Sequence, residues 1–355
     1  MKLQELDFDL PPDQIAQYPA ERRDASRLLA VERNGQGRCH HTFADIVELL
    51  NPEDTLVLNR SRVLPVRLHG IKARTGGRIE LLVMRRDEEG VWLAMGRPIR
   101  NLEPGDEVEL FAQGLRLELV ERTADDHLRL RELTPLAVAS KCDDPTGLVA
   151  IQDLMEAEGH IPLPPYIRRE PVAEDHERYQ TVFACEPGSI AAPTAGLHFT
   201  PEILEALRRK GLALLKILLH VGPGTFAPIR EDDPTHHRLE AEYFQLEEDQ
   251  AEEIRQRCRA GGRTIAVGTT SVRLLETAAG SGELLAGRDW TDLLITPGHE
   301  FRAVDAVLSN FHLPRSSLLM LIAAFAGYET TMQSYAEAVR EGYRFYSYGD
   351  AMLVS

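Results

Sequence analysis

The chain has 355 residues, which at ~150 residues per domain suggests about two domains, and its 43% hydrophobic and 27% charged residues are ordinary for a globular protein. A core of that size needs no disulfide or metal staple. The net charge of −16 excludes a protein coated in basic charge, though not a local basic patch.

The cysteines Cys39, Cys142, Cys185 and Cys258 are scattered, with no Cys-x-x-Cys pair and no zinc-ligand spacing, and read as reduced thiols of a cytoplasmic protein. The start, Met1-Lys2-Leu3-Gln4-Glu5, lacks the apolar core of a signal peptide. The longest apolar run, residues 318–327, is about half the ~20 residues that span a bilayer, so it predicts a buried helix and no membrane span.

In chain order, residues 6–10 before Pro11-Pro12 predict a short strand with a proline stop. A helical patch at 46–50, a turn at Asn51-Pro52-Glu53-Asp54 and a buried strand at 55–59 follow. The texture then changes: β-rich runs at 65–68, 78–84, 91–95, 107–111 and 115–120 are separated by turn signals such as Thr75-Gly76-Gly77 and Glu103-Pro104-Gly105-Asp106. Short strands at this spacing, with no helix between them, predict a small antiparallel β-barrel or sandwich.

Alternation of helices and strands begins near Ile151. Thr200-Pro201-Glu202 is a helix start stopped by Gly211, and 212–219 follows as a strand. Residues 246–260 predict a charged surface helix, 264–267 a strand, and Thr269-Thr270-Ser271 the cap of a helix to Ala279. Strands at 293–296 and 343–348 and helices at 316–326 and 332–341 complete the chain. The simplest architecture is an α/β domain, residues 1–62 and 147–355, interrupted by a β-barrel domain at 63–146.

Between Thr55 and Arg86 the chain carries Arg60, Arg62, Arg67, Lys72, Arg74, Arg78, Arg85 and Arg86 against the single acid Glu80. A solvated strand face explains this charge; so does a patch for an anionic polymer, which the acidic remainder of the chain favours.

Four segments carry chemistry. The loop 187–200, including Pro193, Thr194, Ala195, Gly196 and His198, lets a ligand approach its backbone and runs into a helix N-terminus. Residues 219–226, with His220, Gly222, Gly224 and Thr225, lie at the carboxyl end of a strand, where ligands of α/β sheets collect. Gly268, Thr269, Thr270 and Ser271 follow another strand and suit a carboxylate or a sugar hydroxyl, but lack the P-loop pattern. Residues 308–317, with Asn310 and His312, form a polar loop before an apolar helix. Each segment has a purely structural explanation in turns, caps and packed histidines. The cluster of His236, His237, Glu240 and Glu242 lacks metal-site spacing, and Tyr343, Phe345 and Tyr346 suit either base stacking or a core strand.

In this order the segments resemble the S-adenosylmethionine:tRNA ribosyltransferase-isomerase family of queuosine biosynthesis. The resemblance runs from Leu6-Asp7-Phe8-Asp9-Leu10-Pro11 to Tyr348-Gly349-Asp350-Ala351-Met352, and its strongest motifs are AAPTAGLHFT, LHVGPGTF, AVGTTSVRLLET, SNFHLPRSSLLML and YRFYSYGDAM. It implies an α/β domain with an inserted barrel. The implied reaction moves the ribosyl part of S-adenosylmethionine onto the aminomethyl nitrogen of 7-aminomethyl-7-deazaguanine at the tRNA wobble position. Rearrangement gives epoxyqueuosine-tRNA, adenine and methionine. The donor is a co-substrate; no prosthetic group, metal or membrane is implied, and a cytoplasmic monomer is expected.

The carried-over donor-binding residues are Pro193, Thr194, Ala195, Gly196, Gly222, Gly224, Thr225, Gly268, Thr269, Thr270, Ser271 and Asn310. His198, His220 and His312 are candidates for the base that frees the amine and the acid that helps adenine leave. Arg60, Arg67, Arg74 and Arg78 are the first candidates for RNA contacts. Three positions depart from the family pattern: Pro223 where Leu is common, Glu240 where His is, and His299 where an aromatic residue is. An RNA-binding module without catalysis and a conventional methyltransferase are the alternatives. The polar histidine loops speak against the first, the missing glycine-rich nucleotide loop against the second.

Overall fold

The structure, a computed structural model, describes residues 2–33, 35, 37–111, 114–133, 136, 144–226, 229, 231 and 233–355. In chain order its strands are β1 (Arg27–Val31), β2 (Arg38–Thr42), β3 (Thr55–Asn59), β4 (Ser61–Val63), β5 (Arg67–Lys72), β6 (Arg78–Arg86), β7 (Val91–Arg97), β8 (Glu107–Leu110), β9 (Arg116–Arg122) and β10 (Leu128–Glu132). There follow β11 (Glu186–Ser189), β12 (Ala213–Leu219), β13 (Glu242–Leu246), β14 (Thr264–Val267), β15 (Gly287–Thr291), β16 (Ala306–Asn310) and β17 (Ala351–Val354).

Among the described residues, nine strands make a mixed sheet in the order β15-β13-β12-β3-β14-β16-β17-β1-β2. Its centre, β12-β3-β14-β16, is parallel. β3, β14 and β16 are buried along their whole length, as continuous apolar strands covered on both faces must be. Alternate residues serve opposite layers. Leu56 and Leu58 pack with Ile203, Leu204 and Leu207 of helix Pro201–Lys210. Val57 packs on the other side, with the cluster that holds Leu275 of helix Thr269–Ala278 and Ile322 of helix Ser317–Ala326.

The sequence between β4 and β11 holds a separate closed barrel, β10-β7-β6-β5-β8-β9, antiparallel throughout. Period-2 alternation sends Leu68, Leu81, Val83, Ala94, Val108, Leu117 and Leu130 inward and leaves polar neighbours outside. Glu132 anchors one seam: its carboxylate accepts from Trp92 Nε1 at 2.6 Å and pairs with Arg86 Nε at 2.7 Å. The barrel is stitched to the sheet domain where Arg67 N donates to His160 O at 3.2 Å and His160 N to Arg67 O at 2.9 Å. We propose 63–146 as the inserted unit, because all six barrel strands fall between Arg67 and Glu132.

Three expected strands are replaced. Residues 6–10 follow a one-turn helix, Leu3–Leu6, and are irregular; Phe8 is apolar because its ring packs edge-on against Tyr335. The strand expected at 293–296 lies earlier, at Gly287–Thr291, an exposed edge whose side chains give no apolar signal. Residues 343–348 are irregular, with Tyr346 at φ 74°, and the closing strand is β17. Tyr343 and Phe345 are fully buried beside Phe311, so their rings serve the core and not base stacking. The apolar run near 318–327 is the buried helix Ser317–Ala326, and no helix of the described residues is long and apolar enough to cross a membrane. Cys39, Cys185 and Cys258 are free and exposed; Cys142 lies outside the described residues.

Candidate active site

Parallel strands bring their carboxyl ends to one edge of a sheet, and ligands of α/β proteins collect there. Here that edge carries the loops after β12, β14 and β16. Gly268 N donates to Leu308 O at 2.8 Å, which sets the segment after β14 beside the one after β16. The loop at 192–195 packs onto them and completes a cavity with Thr269, Thr270, Asn310, His312, Tyr166 and Tyr346. A second cavity lies between the barrel and the sheet domain. His220, Gly222 and Glu240 face Arg85, Asp125 and His127 across it, and Val221 lines both spaces.

The expected donor-binding residues divide between these spaces. Pro193, Thr194, Ala195, Gly268, Thr269, Thr270 and Asn310 line the first cavity. Gly222 lines the second, and Gly224 a small adjoining pocket that also borders on Glu240, Glu242 and Arg273. Gly196 is turned away: a Cβ there would meet Thr181 and Phe183 at 2.8 Å. The side chain of Thr225 lies outside the described residues. The hydroxyls after β14 do not cap their helix as expected. Gly268 occupies the cap position at φ 86° without a side-chain bond, and Ser271 Oγ donates to Val267 O at 2.8 Å. By contrast Thr200 Oγ1 caps its helix, accepting from Ile203 N at 3.3 Å.

The three histidines occupy three different surroundings. His312 lines the first cavity, shares a 2.8 Å hydrogen bond between Nε2 and Ser309 Oγ, and donates its backbone N–H to Tyr335 Oη at 3.0 Å. His220 lines the second, with Nδ1 at 2.8 Å from Ser61 Oγ, itself 2.6 Å from Ser189 Oγ. Gly188 makes room for that ring: it sits at φ 143°, and a Cβ would fall 2.5 Å from His220 Cε1. His198 lies behind the first cavity, stacked on Phe43 at 4.9 Å, with Nδ1 2.7 Å from Ser26 Oγ and Nε2 3.2 Å from Asn310 Nδ2. Burial disfavours the charged ring in all three, pushing His198 and His312 down to about 3 and His220 to about 4. Arg344 and Arg23 reinforce the effect at His198, and Arg60 at His220, where Asp144 opposes it.

Sequence reasoning missed Ser26, Ser309 and the placement of Tyr346 OH. Tyr346 OH, Asn310 Oδ1 and Thr270 Oγ1 belong to side chains more than nine-tenths buried that line the first cavity, and none has a hydrogen-bond partner among the described residues. Buried polar atoms in native interiors are nearly always paired with protein, water or a ligand, so these three are open to whatever fills the cavity. Glu240 is half-buried between the second cavity and the adjoining pocket, 3.6 Å from His127, and burial raises its carboxyl. His299 is 3.3 Å from Glu276, outside both cavities.

The basic residues are partly engaged. Arg60 Nη1 donates to Lys216 O at 2.7 Å and Arg67 Nη2 to Leu163 O at 3.0 Å. Arg74 grips Asp106 with two bonds, at 2.7 and 2.8 Å, and holds that carboxyl down at about 2. Arg78 is exposed on the barrel beside a groove shared with His69, Arg97 and His160. Among the described residues, no group of three or more His, Cys, Asp or Glu is placed to hold a metal ion.

A mixed sheet with a closed barrel between β4 and β11, and a largely apolar cavity carrying a few polar groups at its parallel strand ends, defines an α/β protein with a pocket where such sheets hold ligands. The chain belongs to the family described as queuosine biosynthesis protein, whose profile matches residues 3–354. It is 46% identical over 355 residues to the S-adenosylmethionine:tRNA ribosyltransferase-isomerase of Moorella thermoacetica, covering 100% of both chains. It is 44% identical over 355 residues to the protein of the same name from Symbiobacterium thermophilum, again covering 100% of both. The crystal structure of an S-adenosylmethionine tRNA ribosyltransferase from Thermotoga maritima is similar at 35% identity and a TM-score of 0.53, over 99% of this chain and 100% of that one.

Proposed function

We propose that this chain is an S-adenosylmethionine:tRNA ribosyltransferase-isomerase. It transfers the ribosyl group of S-adenosylmethionine to the aminomethyl nitrogen of 7-aminomethyl-7-deazaguanine at the tRNA wobble position. Isomerisation to the epoxycyclopentane then gives epoxyqueuosine-tRNA, with loss of adenine and methionine. The observation that carries this reading is full-length similarity to enzymes of that name, with the matching motifs lining one sheet-end cavity. S-adenosylmethionine occupies that cavity, against 193–195, Gly268–Thr270 and Asn310. The tRNA enters from the cleft between barrel and sheet, where His220 lies, with Arg60, Arg67, Arg74 and Arg78 on the RNA side.

The chemistry requires removal of an acidic proton beside the sulfonium, a neutral amine and assistance to departing adenine. His220 and His312 line ligand space as imidazoles that burial keeps neutral at pH 7, weak bases until a bound ligand changes their surroundings. A neutral ring also avoids repelling a cationic sulfonium. The test is product analysis on purified protein, S-adenosylmethionine and tRNA carrying the aminomethyl base. Adenine and methionine are expected in equal amounts, and S-adenosylhomocysteine as product would refute the reading.

A further inference from the structure

We propose that Asn310 Oδ1 is the acceptor that reads the exocyclic amine of the donor's adenine, and that His198 is a positioning residue that holds this amide in register. The proposal rests on the placement of S-adenosylmethionine in the first cavity.

The orientation of the amide follows from its partners. Asn310 Nδ2 lies 3.1 Å from Tyr346 O, a carbonyl that only accepts, so this end of the amide must be the NH₂ group. Its second hydrogen meets His198 Nε2 at 3.2 Å, which makes that ring nitrogen an acceptor. The proton of the neutral ring is then on Nδ1 and goes to Ser26 Oγ at 2.7 Å, whose own hydroxyl donates to Arg23 O at 3.3 Å. Every hydrogen along this relay has one place. A second proton on His198 would set N–H against N–H at Asn310, so this ring cannot cycle between charge states without releasing the amide. His198 also does not line the first cavity, which separates it from any group that reacts there.

What the relay leaves over is Asn310 Oδ1, an acceptor with no partner among the described residues on a side chain 2% exposed. A buried acceptor calls for an N–H or O–H donor. Among the described residues that line this cavity there is no carboxylate, and its one arginine, Arg315, is paired with Asp7. The ammonium of methionine would lack a counter-charge there. A flat base fits better: Tyr166 and Tyr346 stand 4.0 Å apart between ring centroids at the wall, with Ala192, Pro193, Leu313 and Pro314 nearby. Tyr346 OH, also unpartnered, offers a donor to a ring nitrogen, so acceptor and donor together match the amine and ring nitrogen of adenine. Tyr346 is held in this wall at φ 74°, a conformation costly for a bulky residue and explained if its placement serves a ligand. The deazaguanine of the acceptor tRNA also carries N–H donors, and the experiment separates the two sources.

Donor use is measured for S-adenosylmethionine and its 6-oxo analogue, in which hypoxanthine replaces adenine. The wild type is expected to lose about 10–100-fold in kcat/KM on the analogue, with KM for tRNA unchanged. In Asn310→Ala the two donors become equal to within about twofold, because the discriminating acceptor is gone. His198→Ala loses discrimination in the same way, while His198→Gln restores it, since Gln Oε1 can take the place of Nε2 as acceptor. The shape of the pH–rate profile stays the same in both His198 variants. Discrimination that survives Asn310→Ala, or an Asn310 effect confined to KM for tRNA, overturns the proposal; the latter places the acceptor base here instead. A lost limb of the pH profile in His198→Gln overturns the positioning role. If the wild type consumes neither donor, the functional reading falls and calorimetric binding of the two donors decides this proposal alone: equal affinities in the wild type overturn it.

Discussion

Acidification provides a direct test of the three buried histidines. His198, His220 and His312 are 4%, 6% and 8% exposed, and burial holds them near about 3, 4 and 3. In the unfolded chain each titrates near ~6.5. Below that pH the unfolded state takes up protons that the folded state refuses, so folding stability is intact above ~6.5 and falls as the pH drops toward the folded values. The slope is about 1.4 kcal/mol per pH unit for each ring. Between pH ~7.5 and ~5 that amounts to about 2 kcal/mol per histidine and about 6 for the three. A typical fold holds about 5–15 kcal/mol in total, so the loss is large. The carboxyls of Asp54 and Asp175, lowered by Arg263 and Arg169 against their burial, titrate below this window, and the raised Glu240 acts weakly in the opposite sense. Urea titrations at pH ~7.5, ~6 and ~5 measure the effect, and His312→Gln is expected to remove about a third of the slope. A midpoint that does not move between pH ~7.5 and ~5 would show that these rings accept protons in the folded state.

Glu242→Gln is expected to cost about 3–5 kcal/mol in urea titration, because it strips the buried Arg273 of its carboxylate; adding Arg273→Met recovers much of the loss. Thr200→Ala removes the cap of helix Pro201–Lys210 and is expected to cost about 1 kcal/mol by the same assay. Arg78→Glu is expected to flatten the log–log salt dependence of tRNA binding by about 1, while Arg74→Glu changes it less, since Asp106 already neutralises that guanidinium. Unchanged binding in both variants removes this face of the barrel from the RNA interface.

What the sequence made legible is what depends on local pattern. β3 and β14 announce themselves as unbroken apolar runs, and Thr200, Pro201 and Gly211 bracket their helix as capping chemistry requires. Turn signals between alternating runs were enough to expect a barrel or a sandwich, and the family resemblance chose the barrel, though β10 lay beyond the last run named. Edge strands stayed hidden: β2 reads Arg-Cys-His-His-Thr and β15 is exposed along most of its length, so neither shows the apolar signature of a buried strand. The four motifs located the sheet-end loops correctly, but not which atoms face ligand. That His198 turns its back on the cavity depends on Ser26, 172 residues away. That Arg74 is spent on Asp106 depends on a turn 32 residues on. Such partners are brought together only by the tertiary fold.

The central claim is that the ribosyl carbons of S-adenosylmethionine end in tRNA. The decisive measurement uses two preparations of the donor, one labelled in the ribose and one in the methyl group, with tRNA bearing 7-aminomethyl-7-deazaguanine. The account predicts that ribose label enters the tRNA one-for-one with adenine released, while methyl label stays with free methionine. Methyl label in the tRNA, with the ribose retained in a small-molecule product, would contradict it.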